Sequence, residues 1–154
     1  MRSGRPDGRV VVGTVLALTM AITACAGPTV TDGGYRAKTS GTLQVISSAL
    51  ATATLTMRLE RNGRSALALT DTSLSQAESD ATSAQSSWET RQPPSSGALL
   101  LHDHVQQPMQ DAVSALEDLR IAFRNDDAES VDMALGEINK ATDEIDKAIR
   151  QASS

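Results

Sequence analysis

Residues 128–150 read AESVDMALGEINKATDEIDKAIR, and Val131, Leu135, Ile138, Thr142, Ile145 and Ile149 recur along and just before its end at steps of 4, 3, 4, 3 and 4. That spacing puts six side chains on one stripe of an α-helix, with polar residues between them, which is the pattern of a helix packed sideways against others. Three further stretches keep the same rhythm: Leu43, Ile46, Leu50, Ala53 and Met57; Leu67, Thr70, Leu74, Ala77, Ala81, Ala84 and Trp88; and Val105, Met109, Ala112, Leu116, Leu119 and Phe123. Two-residue alternation, the signature of a half-buried strand, is missing over any useful length. The breaks are legible as well. Asn62-Gly63 suits a helix end, because both residues tolerate the left-handed conformation. Pro93-Pro94-Ser95-Ser96-Gly97 interrupts any helix, and Asn125-Asp126-Asp127 makes a short turn in which Asn125 or Asp126 can cap the last helix. The spacing predicts helices near 39–61, 64–91, 97–124 and 127–152, each about 25 residues or about 37 Å long. The fold class is all-α, an up-down four-helix bundle.

A rival arrangement follows from the same stripe. Positions 46, 53, 60, 67, 74, 81 and 88 are spaced by seven straight through Gly63, and a glycine inside a helix costs only about 1 kcal/mol. The alternative is that residues 39–91 form one long helix packed with a helical hairpin. Pro108 is expected to kink the third helix, freeing the carbonyl of His104, or to start a new segment there.

Composition narrows the function classes. One Trp, one Tyr and one Phe in 154 residues argue against a β-sandwich or barrel, whose strands favour aromatic and β-branched residues. The net charge is −5. Arg2, Arg5, Arg9 and Asp7 give the first 24 residues +2, so the remainder carries −7. An acidic domain is repelled by nucleic acid and by anionic membrane surfaces, and no nucleic-acid partner is expected. The single cysteine excludes an internal disulfide and any multi-cysteine metal site.

The position of that cysteine is informative. Residues 2–9 are basic, residues 10–22 are apolar over a length that suits a signal sequence but not a spanning helix, and Ile22-Thr23-Ala24-Cys25 follows at once. This four-residue run resembles the lipobox of bacterial lipoproteins. The resemblance implies a diacylglyceryl group on the Cys25 thiol, cleavage by signal peptidase II between Ala24 and Cys25, and a palmitate-type acyl anchor on the extracytoplasmic face of the cell membrane. The basic start lacks paired arginines, which favours the general secretory route. Ala26 follows the cysteine, where aspartate would signal inner-membrane retention. Three segments result: a signal peptide at 1–24, lipidated Cys25 with a flexible tether to residue 38, and a helical domain at 39–154. Glycine, proline and threonine are expected to keep 26–38 out of regular structure, with a reach of about 20 Å.

Candidate sites are few. His102-Asp103-His104 is the one histidine-rich spot and the only metal candidate. Histidines two apart point about 200° apart on a helix, so they share an ion only if the segment before Pro108 is extended or kinked, with Glu89 or Asp111 as conceivable third ligands. Asp126, Asp127, Glu129, Asp132, Asp143, Glu144 and Asp146 make the last helix acidic, but interspersed Lys140, Lys147 and Arg150 read as a solvated, ion-paired face, with Asp143–Lys147 at i, i+4. Neither histidine has a glutamate three residues before it, so a di-iron bundle is excluded. No Gly-x-Ser-x-Gly and no phosphate-binding glycine loop occurs. Trp88 belongs on the apolar stripe. Arg58, Arg61 and Arg64 cluster at the first turn between helices, where they can cap carbonyls and pair with Glu60.

Pro93-Pro94 between two helical pairs, and Leu119-Arg120-Ile121-Ala122-Phe123-Arg124-Asn125-Asp126-Asp127 at the joint of the second pair, resemble the small alanine-rich helical lipoproteins and exported proteins of actinobacteria. The resemblance spans residues 40–150 and is structural; it brings no functional residues with it. The expected function is that of a non-enzymatic, membrane-anchored binding or structural module of the cell envelope, periplasmic or surface-exposed, with a protein partner and no cofactor. The alternative is a small-ligand or metal-binding module using His102 and His104.

Overall fold

The computed structural model describes residues 31–154. Four helices follow one another: α1 (Asp32–Arg61), α2 (Leu67–Glu89), α3 (Ser96–Arg124) and α4 (Ala128–Ala152). Short loops make each helix antiparallel to the next, and no strand occurs among the described residues. Each helix packs on its neighbours in the order α1, α2, α3, α4 and back to α1. Across the bundle α1 also touches α3, whereas α2 and α4 do not meet. The α3–α4 pair shares the most extensive interface. Alanines suit it: Ala134, Ala141, Ala148 and Ala152 alternate with Val131, Ile138 and Ile145 on the buried side of α4, and Ala98, Ala112, Ala115 and Ala122 are buried on α3. Small side chains let the two backbones approach closely.

Three expectations need correction. The first helix starts at Asp32, not at residue 39, so residues 32–38 are helical and not tether. Thr31 caps it, its Oγ1 accepting from the Gly34 amide at 3.1 Å, and Tyr35, one turn in, is fully buried. A cap and a buried ring outweigh the weak helix propensity of Gly33 and Gly34. Second, the long helix over 39–91 does not form. Gly63 has φ +63°, its amide donates to the Glu60 carbonyl at 2.8 Å, and the Arg64 amide donates to the Leu59 carbonyl at 2.8 Å. This pair of bonds stops the helix and satisfies its last carbonyls. Third, the cap of α4 is Asp127, not Asn125 or Asp126: its carboxylate accepts from the Ser130 amide at 3.1 Å. The turn repeats the one after α1, but the left-handed position is held by Asp126 at φ +53°. Asp127 therefore closes α3 through its amide, which donates to the Ala122 carbonyl, and opens α4 through its side chain.

Pro108 sits inside α3, which runs unbroken from Ser96 to Arg124. The stripe positions also shift slightly. On α4 the core takes Ala134, Ala141 and Ala148, leaving Leu135, Thr142 and Ile149 at its margin. Leu67, expected on the stripe of α2, is 68% exposed.

Ion pairs lace the looser seams. Arg120 and Arg124 of α3 hold Glu78 and Asp71 of α2, each through two guanidinium nitrogens. Arg61 of α1 pairs with Asp132 of α4. Such pairs contribute little stability at an exposed surface, about 0–1 kcal/mol each, but they set the register of one helix against the next.

Candidate functional site

The first and third helices begin, and the second ends, at one end of the bundle, and there the rare side chains meet. The Tyr35 hydroxyl and His102 Nδ1 share a hydrogen bond at 2.9 Å. The His102 ring stacks on Trp88 with centroids 4.4 Å apart and planes 15° from parallel. Trp88 Nε1 donates to Thr39 Oγ1 at 3.1 Å, and both residues are fully buried. Burial pushes the Tyr35 phenol above its ordinary pKa, against opposing effects from the Thr39 hydrogen bond and the Arg91 charge. Every buried side-chain nitrogen and oxygen among the described residues has a hydrogen-bond partner. The cluster is a fastener: three helices joined through stacked rings and two hydrogen bonds, with Trp88 in the core as its place on the stripe implies.

That geometry removes the condition on which the metal reading depended. Residues 102–104 lie within continuous helix, so His102 turns into the cluster while His104, two residues on, is exposed. Glu89 accepts from Gln85 Nε2 at 2.9 Å and Asp111 from Gln107 Nε2 at 2.7 Å, each within its own helix. The acidic residues of α4 disperse as well. Asp127 is spent on the cap, its carboxyl held below the usual range by hydrogen bonds from the Ser130 side chain and backbone. Asp132 takes Arg61, Asp143 and Asp146 are exposed, and on this face Lys140 lies 3.7 Å from Glu137. Of the arginine cluster, Arg61 reaches across to α4 instead of pairing with Glu60.

The opposite end is open. Where α1 and α3 finish and α2 and α4 start, all four helices line a cleft of about 840 Å³. Met57 and Val131 are buried in its floor, Phe123 is half-buried, and Leu67 stands exposed at its edge. The cause lies in the residue sizes. Ala68 and Ala128 occupy the first turns of α2 and α4, on the two helices that never meet, and neither fills the gap. Five carboxylates and two guanidiniums line the cleft, a net charge of −3. Arg124 binds Asp71 at 2.5 and 3.1 Å and holds its carboxyl below the usual range. The side chains of Glu60 and Asp126 have no hydrogen-bond or ion-pair partner among the described residues.

The helical stripes gave no sign of this cleft, because Met57, Leu67 and Phe123 all fall on them. The available signal was their position in the last or first turn of a helix beside alanines. Cys25 and Ala24 lie outside the described residues, as does the rest of the lipobox. No helix among the described residues is long and apolar enough to cross a membrane. Comparison with protein-family models, curated proteins and solved structures finds no match to the chain.

Proposed function

We propose that the chain is a lipoprotein, anchored through Cys25 to the extracytoplasmic face of the cell membrane, whose helical bundle acts as a non-enzymatic binding module of the envelope. What carries the reading is the juxtaposition of lipobox and fold. The cap of α1 is Thr31, six residues after Cys25, a span of at most about 20 Å for an extended chain. A bundle attached so closely stands on the membrane by the end that holds Tyr35, Trp88 and His102. The 30 residues of α1, about 45 Å of helix, then carry the cleft away from the surface. Ligand access from the envelope space favours that placement, and a packed, hydrogen-bonded fastener suits the end that bears the anchor.

The intact mass of the protein in the membrane fraction tests the anchor, with wild type compared to Cys25→Ala. The expected wild-type mass begins at Cys25 and carries added acyl chains, and the variant loses both the cleavage and the acyl mass. An unmodified Cys25 on a protein found in the soluble fraction overturns the reading.

A further inference from the structure

We infer that the cleft between the far ends of the helices binds a small hydrophobic amine: an apolar body of drug-like size carrying one positive charge. This deepens the binding-module reading by naming a ligand class, but it does not depend on the lipid anchor. Three observations support it. The volume, about 840 Å³, falls in the range of small-molecule sites, roughly 300–1,000 Å³. The floor is apolar and adaptable. Met57 offers a polarisable thioether, and the chain's single phenylalanine, Phe123, offers a ring face that attracts cations. The rim is acidic in a specific way. Asp71 and Asp132 already hold Arg124 and Arg61, and Asp127 caps α4, which leaves Glu60 and Asp126 as carboxylates with no partner of their own. Both line the same cleft, so a cation seated there gains attraction from each without displacing an existing pair.

An anionic ligand meets the opposite situation. The two arginines at the cleft are occupied by carboxylates, and the net charge repels it. A protein partner would need a contact of about 800 Å² on its side, more than a pocket bounded by two short turns presents. The structure therefore favours a compact cation that places its apolar part against Phe123 and Met57.

The full-length protein in zwitterionic micelles is titrated with dansylcadaverine, whose primary amine ends an apolar fluorophore, and with its N-acetylated, uncharged form. Micelle partition is the same for every variant, so differences between variants report the protein. Wild type is expected to bind the amine on the order of tenfold more tightly than the acetylated form, with the preference falling as salt is raised. The double variant Glu60→Gln/Asp126→Asn is expected to lose the preference while keeping the weaker binding; asparagine tolerates the left-handed backbone at 126. Ala68→Trp, which fills the cleft, is expected to lose both. Helicity verifies that the variants fold, as does the emission of Trp88, buried at the other end, in the double variant, where it is the single tryptophan. Equal affinity for the two probes in wild type overturns the proposal, as does unchanged binding in Ala68→Trp or no binding at all. Cys25→Ala is expected to titrate as wild type, so failure of the anchor and failure of the cleft are told apart.

Discussion

The two ends of this bundle are built from the same four helices and solve the same problem in opposite ways. At the end where α1 begins, Tyr35 and Trp88 are fully buried, and a half-buried His102 ties the ring stack to the phenol. At the other end the remaining aromatic, Phe123, is half-buried beside Ala68 and Ala128, and Leu67 is exposed to 68%. An alanine-rich bundle supplies little volume at its ends, so an end closes only where large rings are placed. Elsewhere it stays open, as the cleft beside Ala68 and Ala128 does.

The largest expected effect breaks that contrast or establishes it. Trp88→Ala should cost about 3–5 kcal/mol, since it removes a fully buried ring, its stack on His102 and the donor to Thr39. Leu67→Ala, the matched truncation at the open end, should cost less than about 0.5 kcal/mol. Urea midpoints of the two variants measure the difference, and similar losses would show that the ends are equivalent.

A smaller effect sharpens the picture of the open end. The N-cap of α2 is Ala66, which makes no side-chain bond to the helix amides, whereas Thr31, Ser95 and Asp127 cap the other three. Ala66→Asp should raise stability by about 1 kcal/mol by supplying both an acceptor and a charge suited to the helix start. A thermal melt reads the gain; no gain would mean that the turn at 62–66 holds the helix start by other means.

The smallest effect separates the ends by pH. Asp71 and Asp127, at the open end, have folded pKa values below the unfolded value of 3.8. The unfolded chain therefore takes up their protons first, and the stabilisation they provide is present above pH about 4 and lost as pH falls through the folded values. Tyr35, at the closed end, is raised above 10.0. Its hydroxyl ionises first in the unfolded chain, so stability is complete below pH 10 and declines above it. Stability measured against pH should lose part of its acid limb in Asp71→Asn and part of its alkaline limb in Tyr35→Phe. A variant that altered the other limb instead would contradict the assignment.

Much of the fold was legible in the sequence because helix periodicity is a local property. The stripes of α1 and α3 name Leu43, Ile46, Leu50, Met57, Val105, Met109, Leu116 and Leu119, and all eight are buried. Local chemistry also marked Gly63 as a stop, while leaving open a helix that ran through it. Where the stripe was misjudged, alanine was the reason. Ala134, Ala141 and Ala148 are neutral to periodicity, yet close α3–α4 packing makes them the inner positions and moves Leu135 and Ile149 to the margin. The start of α1 was not legible because glycine, proline and threonine there disfavour a helix, and the burial of Tyr35 that offsets them depends on a histidine 67 residues away.

The sequence by itself determined an all-helical fold, its candidate breaks and an acidic surface, because each follows from composition or from residues close together along the chain. It also placed a lipobox-like cysteine ahead of the helices. Only the tertiary structure decided which end closes and which stays open. That depends on how large and small side chains from different helices come to share one layer, and on which carboxylates the arginines of neighbouring helices leave without a partner.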